Sequence, residues 1–85
     1  MNYNQVKRQE RELFILNMVS YREEIKLTQK EFAELLGHGL KMATYTAWEG
    51  KRSFPPIAFC RIIAKTLGTD IETMLTERIT KKFRV

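Results

Sequence analysis

Leu27-Thr28-Gln29-Lys30-Glu31-Phe32-Ala33-Glu34-Leu35-Leu36-Gly37 carries a helix start, a buried face and a helix stop. Thr28 followed three residues later by Glu31 is a capping box. The Thr hydroxyl accepts from the Glu31 N–H, and the carboxylate accepts from the N–H of the cap. Phe32, Leu35 and Leu36 supply the buried face. Gly37 ends the helix, because glycine takes a positive φ without the Cβ penalty. A helix over residues 28–36 is too short to persist alone, so it must pack against its neighbours.

Working outward, Gly37-His38-Gly39-Leu40 reads as a turn. A third helix follows over Lys41–Glu49, with Leu40, Tyr45 and Trp48 facing inward. Its remaining positions, Ala43, Thr44, Thr46 and Ala47, are small or polar and let that flank approach another surface closely. Gly50 closes the helix, and Lys51-Arg52-Ser53 forms a basic loop. Pro55 and Pro56 start a fourth helix, whose inner side is Ile57, Cys60, Ile63, Ala64 and Leu67 before Gly68. Asp70 caps a fifth, with Ile71, Met74 and Leu75 buried and Ile79 continuing the stripe.

Upstream, Phe14, Met18, Tyr21 and Ile25 mark an amphipathic helix over Arg11–Ile25. Leu13, Ile15, Leu16 and Val19 widen its apolar face nearly all the way round. A second surface must then cover it, either the tail of the same chain or a partner subunit. Met1–Glu10 is polar and aperiodic, and reads as a frayed arm or as extra turns of helix. No segment alternates at period two. The expected fold is all-α, a compact five-helix bundle, with an arm over 1–10, a domain over 11–76 and a basic tail over 77–85.

The chain has 85 residues and a formal net charge of +5. The excess lies in residues 26–52 (five basic, three acidic) and 76–85 (four basic, one acidic), while the other segments balance. Clustered positive charge attracts polyanions. Uninterrupted apolar runs such as Leu13–Leu16 are far short of the roughly 20 residues that cross a bilayer, and no secretion signal is evident. One His and one Cys, His38 and Cys60, cannot supply a zinc ligand set, and one cysteine fits a reducing cytosol. No GxGxxG, Walker loop or GxSxG occurs. The reading is of a protein that is not an enzyme, with no metal, cofactor or small-molecule ligand and no membrane partner.

Residues 27–37, together with Trp48-Glu49-Gly50-Lys51-Arg52, Pro55 and Ile63-Ala64-Lys65-Thr66-Leu67-Gly68, resemble the lambda repressor/Cro-type helix-turn-helix family over about residues 14–75. The resemblance implies a sequence-specific regulator, in the repressor mould, that binds double-stranded DNA as a homodimer in the cytoplasm, at the nucleoid. In that family the second of two packed helices enters the major groove. Aligned back from Trp48, the base-facing positions are Lys41, Met42, Ala43, Thr44, Thr46 and Ala47. Gln29 and Lys30, at the start of the second helix, are positioned for phosphate contact. His38 joins that set when protonated, and Lys51 and Arg52 match a backbone-contacting loop. Arg22 and Glu49 match a structural salt bridge, Trp48 an inward-facing position, and Ala33 a close helix crossing.

The chain departs from the family pattern in two ways. The expected reading face has no Arg, Gln or Asn, the bidentate readers worth roughly 1–3 kcal/mol each. Specificity then leans on Lys41, on single hydrogen bonds from Thr44 and Thr46, on apolar contacts to thymine methyls, and on DNA shape. The spacing from Gly37 to Trp48 is also two residues longer than usual, and the turn is expected to absorb the difference. A second reading keeps the fold but makes it a protein-interaction module, such as an antitoxin or a coactivator-type partner. A third has Arg78, Lys81, Lys82, Phe83 and Arg84 bind RNA or an anionic membrane. Helix 1, helix 5 and Phe83–Val85 are the candidate dimer surfaces.

Overall fold

In the computed structural model, which describes residues 1–79, the chain is helical from its third residue. Asn2 caps that first helix: its Oδ1 accepts from Gln5 N–H at 2.9 Å, and Gln5 Oε1 accepts from Asn2 N–H at 3.0 Å. Helix α1 therefore runs Tyr3–Glu24, and residues 3–10 are the extra turns of helix that the sequence allowed. The other helices are α2 (Gln29–Leu36), α3 (Met42–Glu49), α4 (Ile57–Thr66) and α5 (Ile71–Thr76), and no strand occurs among the described residues. Lys41 caps α3 instead of forming its first turn, and Pro56 occupies the N-cap of α4. Residues 80–85 lie outside the described residues, and with them Lys81, Lys82, Phe83, Arg84 and Val85 of the expected tail.

The core gathers Phe14, Ile15 and Met18 of α1, Phe32, Ala33 and Leu36 of α2, Tyr45 and Trp48 of α3, Cys60, Ile63 and Ala64 of α4, and Met74 of α5. Aromatic rings run through it as a chain. Tyr21 meets Phe32, Phe32 meets Tyr45, Tyr45 meets Trp48, and Trp48 meets Phe59, at centroid separations of 5.3–6.1 Å. Each such pair adds about 0.5–1.5 kcal/mol beyond the area it buries.

Within the chain, the wide apolar face of α1 is covered chiefly by α5 and the residues after it. The device is Asn17, fully buried in an otherwise apolar stripe. Its Nδ2 donates to the carbonyls of Met74 (3.1 Å) and Glu77 (2.7 Å). Its Oδ1 accepts from Ile79 N–H and Arg78 Nη1, both at 3.1 Å. All the hydrogen-bonding capacity of the amide is thus used, which a buried amide requires. Arg78 also donates to Ser20 Oγ at 2.8 Å. Ile79 reaches the core by this clasp and not by continuing a helical stripe, since α5 has already ended at Thr76.

Three positions read as apolar-facing stand in solvent. Leu35 is 53% exposed because Phe32, Ala33 and Leu36 define the inner face of α2, and Leu35 projects well round the helix from it. Ile57 is 59% exposed, because a first-turn side chain tilts back past the helix end and beyond the core. Leu16 is 48% exposed, on the side of α1 that α5 leaves uncovered. Among the described residues, no helix is long and apolar enough to cross a membrane.

Candidate nucleic-acid interface

The capping box of α2 forms as its residue types require: Thr28 Oγ1 accepts from Glu31 N–H at 3.1 Å, and Glu31 Oε1 accepts from Thr28 N–H at 2.8 Å. Those backbone and hydroxyl bonds hold the Glu31 carboxyl below its ordinary range. Phe32 N–H bonds back to the Thr28 carbonyl. The N–H groups of Gln29 and Lys30 remain as the open donors of the first turn, at the positive end of the helix dipole.

Between α2 and α3, three consecutive residues take positive φ: Gly37 (72°), His38 (57°) and Gly39 (73°). After this turn α3 starts only at Met42. His38 is the unusual member, a side-chain-bearing residue in the left-handed region. Its ring sits edge-on to Phe59 at 6.4 Å, so it rests on α4 although the residue is exposed.

Glu49 holds the inner side of α3 in register with α1 and α2. Its carboxylate accepts from Arg22 Nε (2.7 Å), Arg22 Nη2 (3.2 Å), Gln29 Nε2 (2.8 Å) and the Tyr45 hydroxyl. Arg22 Nη1 donates to the Leu27 carbonyl at 2.8 Å, which ties the end of α1 to the α1–α2 loop. Burial alone would push the Glu49 carboxyl up. The hydrogen bonds from Arg22, Tyr45 and Gln29 outweigh that and hold it below the usual carboxylate range. The same hydrogen bond raises the Arg22 guanidinium further. The Tyr45 hydroxyl is pushed far up, by burial first and by Glu49 second.

The outer side of α3 is the opposite. Lys41, Met42, Ala43 and Thr44 are all exposed, at its N-terminal end. Thr46 and Ala47 are half-buried. The Thr46 hydroxyl donates to the Ala43 carbonyl at 3.0 Å, and the Ala47 carbonyl accepts from Arg52 and Ser53 N–H. The second turn of α3 is therefore tied into the loop that follows it. The only carboxylate of α3, Glu49, faces inward, so the helix presents no acidic group at its outer edge.

Among the residues expected at phosphate, Lys30, Lys51 and Arg52 are exposed, and none forms an ion pair among the described residues. The backbone N–H groups of Lys51 and Arg52 bond to the Trp48 and Ala47 carbonyls, which anchors both cations against the end of α3. The Gln29 side-chain amide donates to Glu49, which ties one of its two N–H groups to the inner side of α3. Sequence reasoning also passed over Lys7, Arg8 and Arg11, which share one side of α1 and face the Lys51–Phe54 loop. A charge tally over residues 1–25 balances and so hid them; their i, i+1, i+4 spacing was the available signal.

Cys60 is buried, and burial pushes its thiol up to about 11, so it stays protonated at neutral pH. Its Sγ lies 3.4 Å from the Pro55 carbonyl. No group of three or more His, Cys, Asp or Glu among the described residues is placed to hold a metal ion. A family model described as helix-turn-helix matches residues 19–74. Comparison with curated proteins and with solved structures returns no match.

Proposed function

The chain belongs to the lambda repressor/Cro-type helix-turn-helix family, a family of DNA-binding regulators, and from that premise we propose that it is a sequence-specific repressor that lays α3 in the major groove as a homodimer at the nucleoid. Lys41, Met42, Ala43 and Thr44 face the base edges, with Thr46 and Ala47 behind them. Lys30, Lys51 and Arg52, with the N–H groups of Gln29 and Lys30, take the phosphates, and His38 supplies a further contact from the α2–α3 turn. The observation that supports this reading is the exposed N-terminal stretch of α3 at Lys41–Thr44, with unpaired Lys51 and Arg52 anchored at the other end of the same helix and its own carboxylate pointing inward.

Phosphate contacts fix orientation, and base edges supply the sequence information. With no bidentate reader, discrimination comes from Lys41 at a guanine edge or phosphate, from Thr44, from methyl contacts of Met42 and Ala43, and from groove shape. Leu16, Val6 and Tyr3 leave apolar side chains of α1 in solvent and support a dimer surface there.

Selection of duplexes from a random pool tests the proposal. The expected product is an inverted repeat with half-site centres about 34 Å apart. Binding is expected to weaken steeply between about 50 and 200 mM salt, because counterion release drives it. Charge reversal of Lys51 and Arg52 should abolish it. Affinity that does not change across that salt range would overturn the reading.

A further inference from the structure

Between the N-terminal half of α1 and the α3–α4 loop lies a groove of about 420 Å³, lined from one side by Asn4, Lys7, Arg8, Arg11, Glu12 and Ile15. Lys51, Arg52, Ser53 and Phe54 close the other side. Five of its residues are cationic and one is acidic, and no ion pair forms among them. With five cations against one carboxylate, the lining carries a net positive charge that focuses positive potential along the cleft.

Part of the lining is pre-ordered. The Arg11 guanidinium lies over the Phe54 ring at 4.9 Å, and Phe54 packs edge-on to buried Phe14 at 5.4 Å. An arginine fixed on an aromatic face loses little freedom when it takes an anion. Lys51 and Arg52 are anchored through their backbones to the end of α3. The groove is thus continuous with that end of the helix. Its α1 wall, Asn4 to Ile15, falls N-terminal to the family match, which begins at residue 19.

We propose that this groove seats a second tract of the DNA phosphate backbone, flanking the segment met by α3, with Lys7, Arg8 and Arg11 as phosphate contacts. The inference rests on the DNA-binding reading above. The α1 wall is about 16 Å long at 1.5 Å per residue. That is the axial run of roughly five phosphates on one strand. The groove's continuity with Lys51 and Arg52 favours a polymer over a small anion. Residues 3–11 in this way lengthen the electrostatic footprint without reading sequence.

The test is a salt titration of binding to a mixed-sequence duplex of about three helical turns. It compares the wild-type chain, K7Q/R8Q and K51Q/R52Q, with a thermal melt of each to confirm folding. Removing two phosphate contacts should make the log–log salt slope shallower by about 1.8. Between about 50 and 200 mM salt, the wild type should then lose about 12-fold more affinity than K7Q/R8Q. A wild-type slope retained by K7Q/R8Q but lowered in K51Q/R52Q overturns this inference and leaves the proposed function standing. A wild type that binds duplex without salt dependence overturns both. Inorganic tripolyphosphate supplies a further arm: if it binds through Lys7 and Arg8 while the DNA slope is unchanged, the groove is a small-anion site and the inference fails.

Discussion

The two sides of α3 are built on opposite principles within eight residues. The inner side carries Tyr45, Trp48 and Glu49, two of them core residues and the third a carboxylate with four donors around it. The outer side at its N-terminal end carries short or unbranched side chains in solvent, with no acidic partner. The inner side determines where the helix lies; the outer side is left unencumbered so that something else can meet it. Under the proposed function, stability and recognition fall on different residues of one short helix, and substitutions can separate them.

The largest expected effect is on the inner side. Trp48→Ala removes a buried ring that bridges Tyr45 and Phe59, at a cost of about 3–5 kcal/mol in urea unfolding. A loss below about 1 kcal/mol would place Trp48 outside the core and erase the contrast between the two sides.

Glu49→Gln comes next. It leaves Arg22, Gln29 and Tyr45 without their charged acceptor, at a cost of about 1.5–3 kcal/mol. The effect carries a pH signature. The folded carboxyl titrates below its ordinary value of 4.5, so its contribution is fully present above that pH. It is lost as pH falls through the lower folded value. Thermal melts of the wild type and E49Q should converge on acidification below 4.5. A gap that stays constant would mean the carboxylate is not held by these bonds.

The smallest effect on stability belongs to the outer side. Met42→Ala and Thr44→Ala should each shift unfolding by no more than about 0.5 kcal/mol. In competition binding, each should change discrimination at one or two base pairs by about 0.5–1.5 kcal/mol. If both lower stability instead, the outer edge is part of the core's support rather than a reading face.

Much of the fold was legible because its signals are local. Thr28 and Glu31, Gly37 and Gly50 mark the ends of α2 and α3 through hydrogen bonds and backbone angles set within a few residues. The resemblance also named Arg22 and Glu49 as partners. It did not reveal that Gln29 and Tyr45 donate to the same carboxylate, because that convergence depends on how three helices cross. Asn17 was equally opaque. A polar residue in an apolar stripe gives no sign of the carbonyls some sixty positions away that satisfy it. Leu35 and Ile57 misled because hydrophobicity alone does not say which side of a short helix, or which of its ends, meets the core.

The sequence by itself determined the number and order of the helices and the approximate limits of α2 to α5, since caps, glycine turns and apolar spacing act along the chain over a turn or two. Tertiary structure alone decided which cations stand together. Lys7, Arg8 and Arg11 share a groove with Lys51 and Arg52 across some forty intervening residues. Electrostatic potential adds up over neighbours in space, whatever their separation along the chain, so no tally by segment could have assembled that groove.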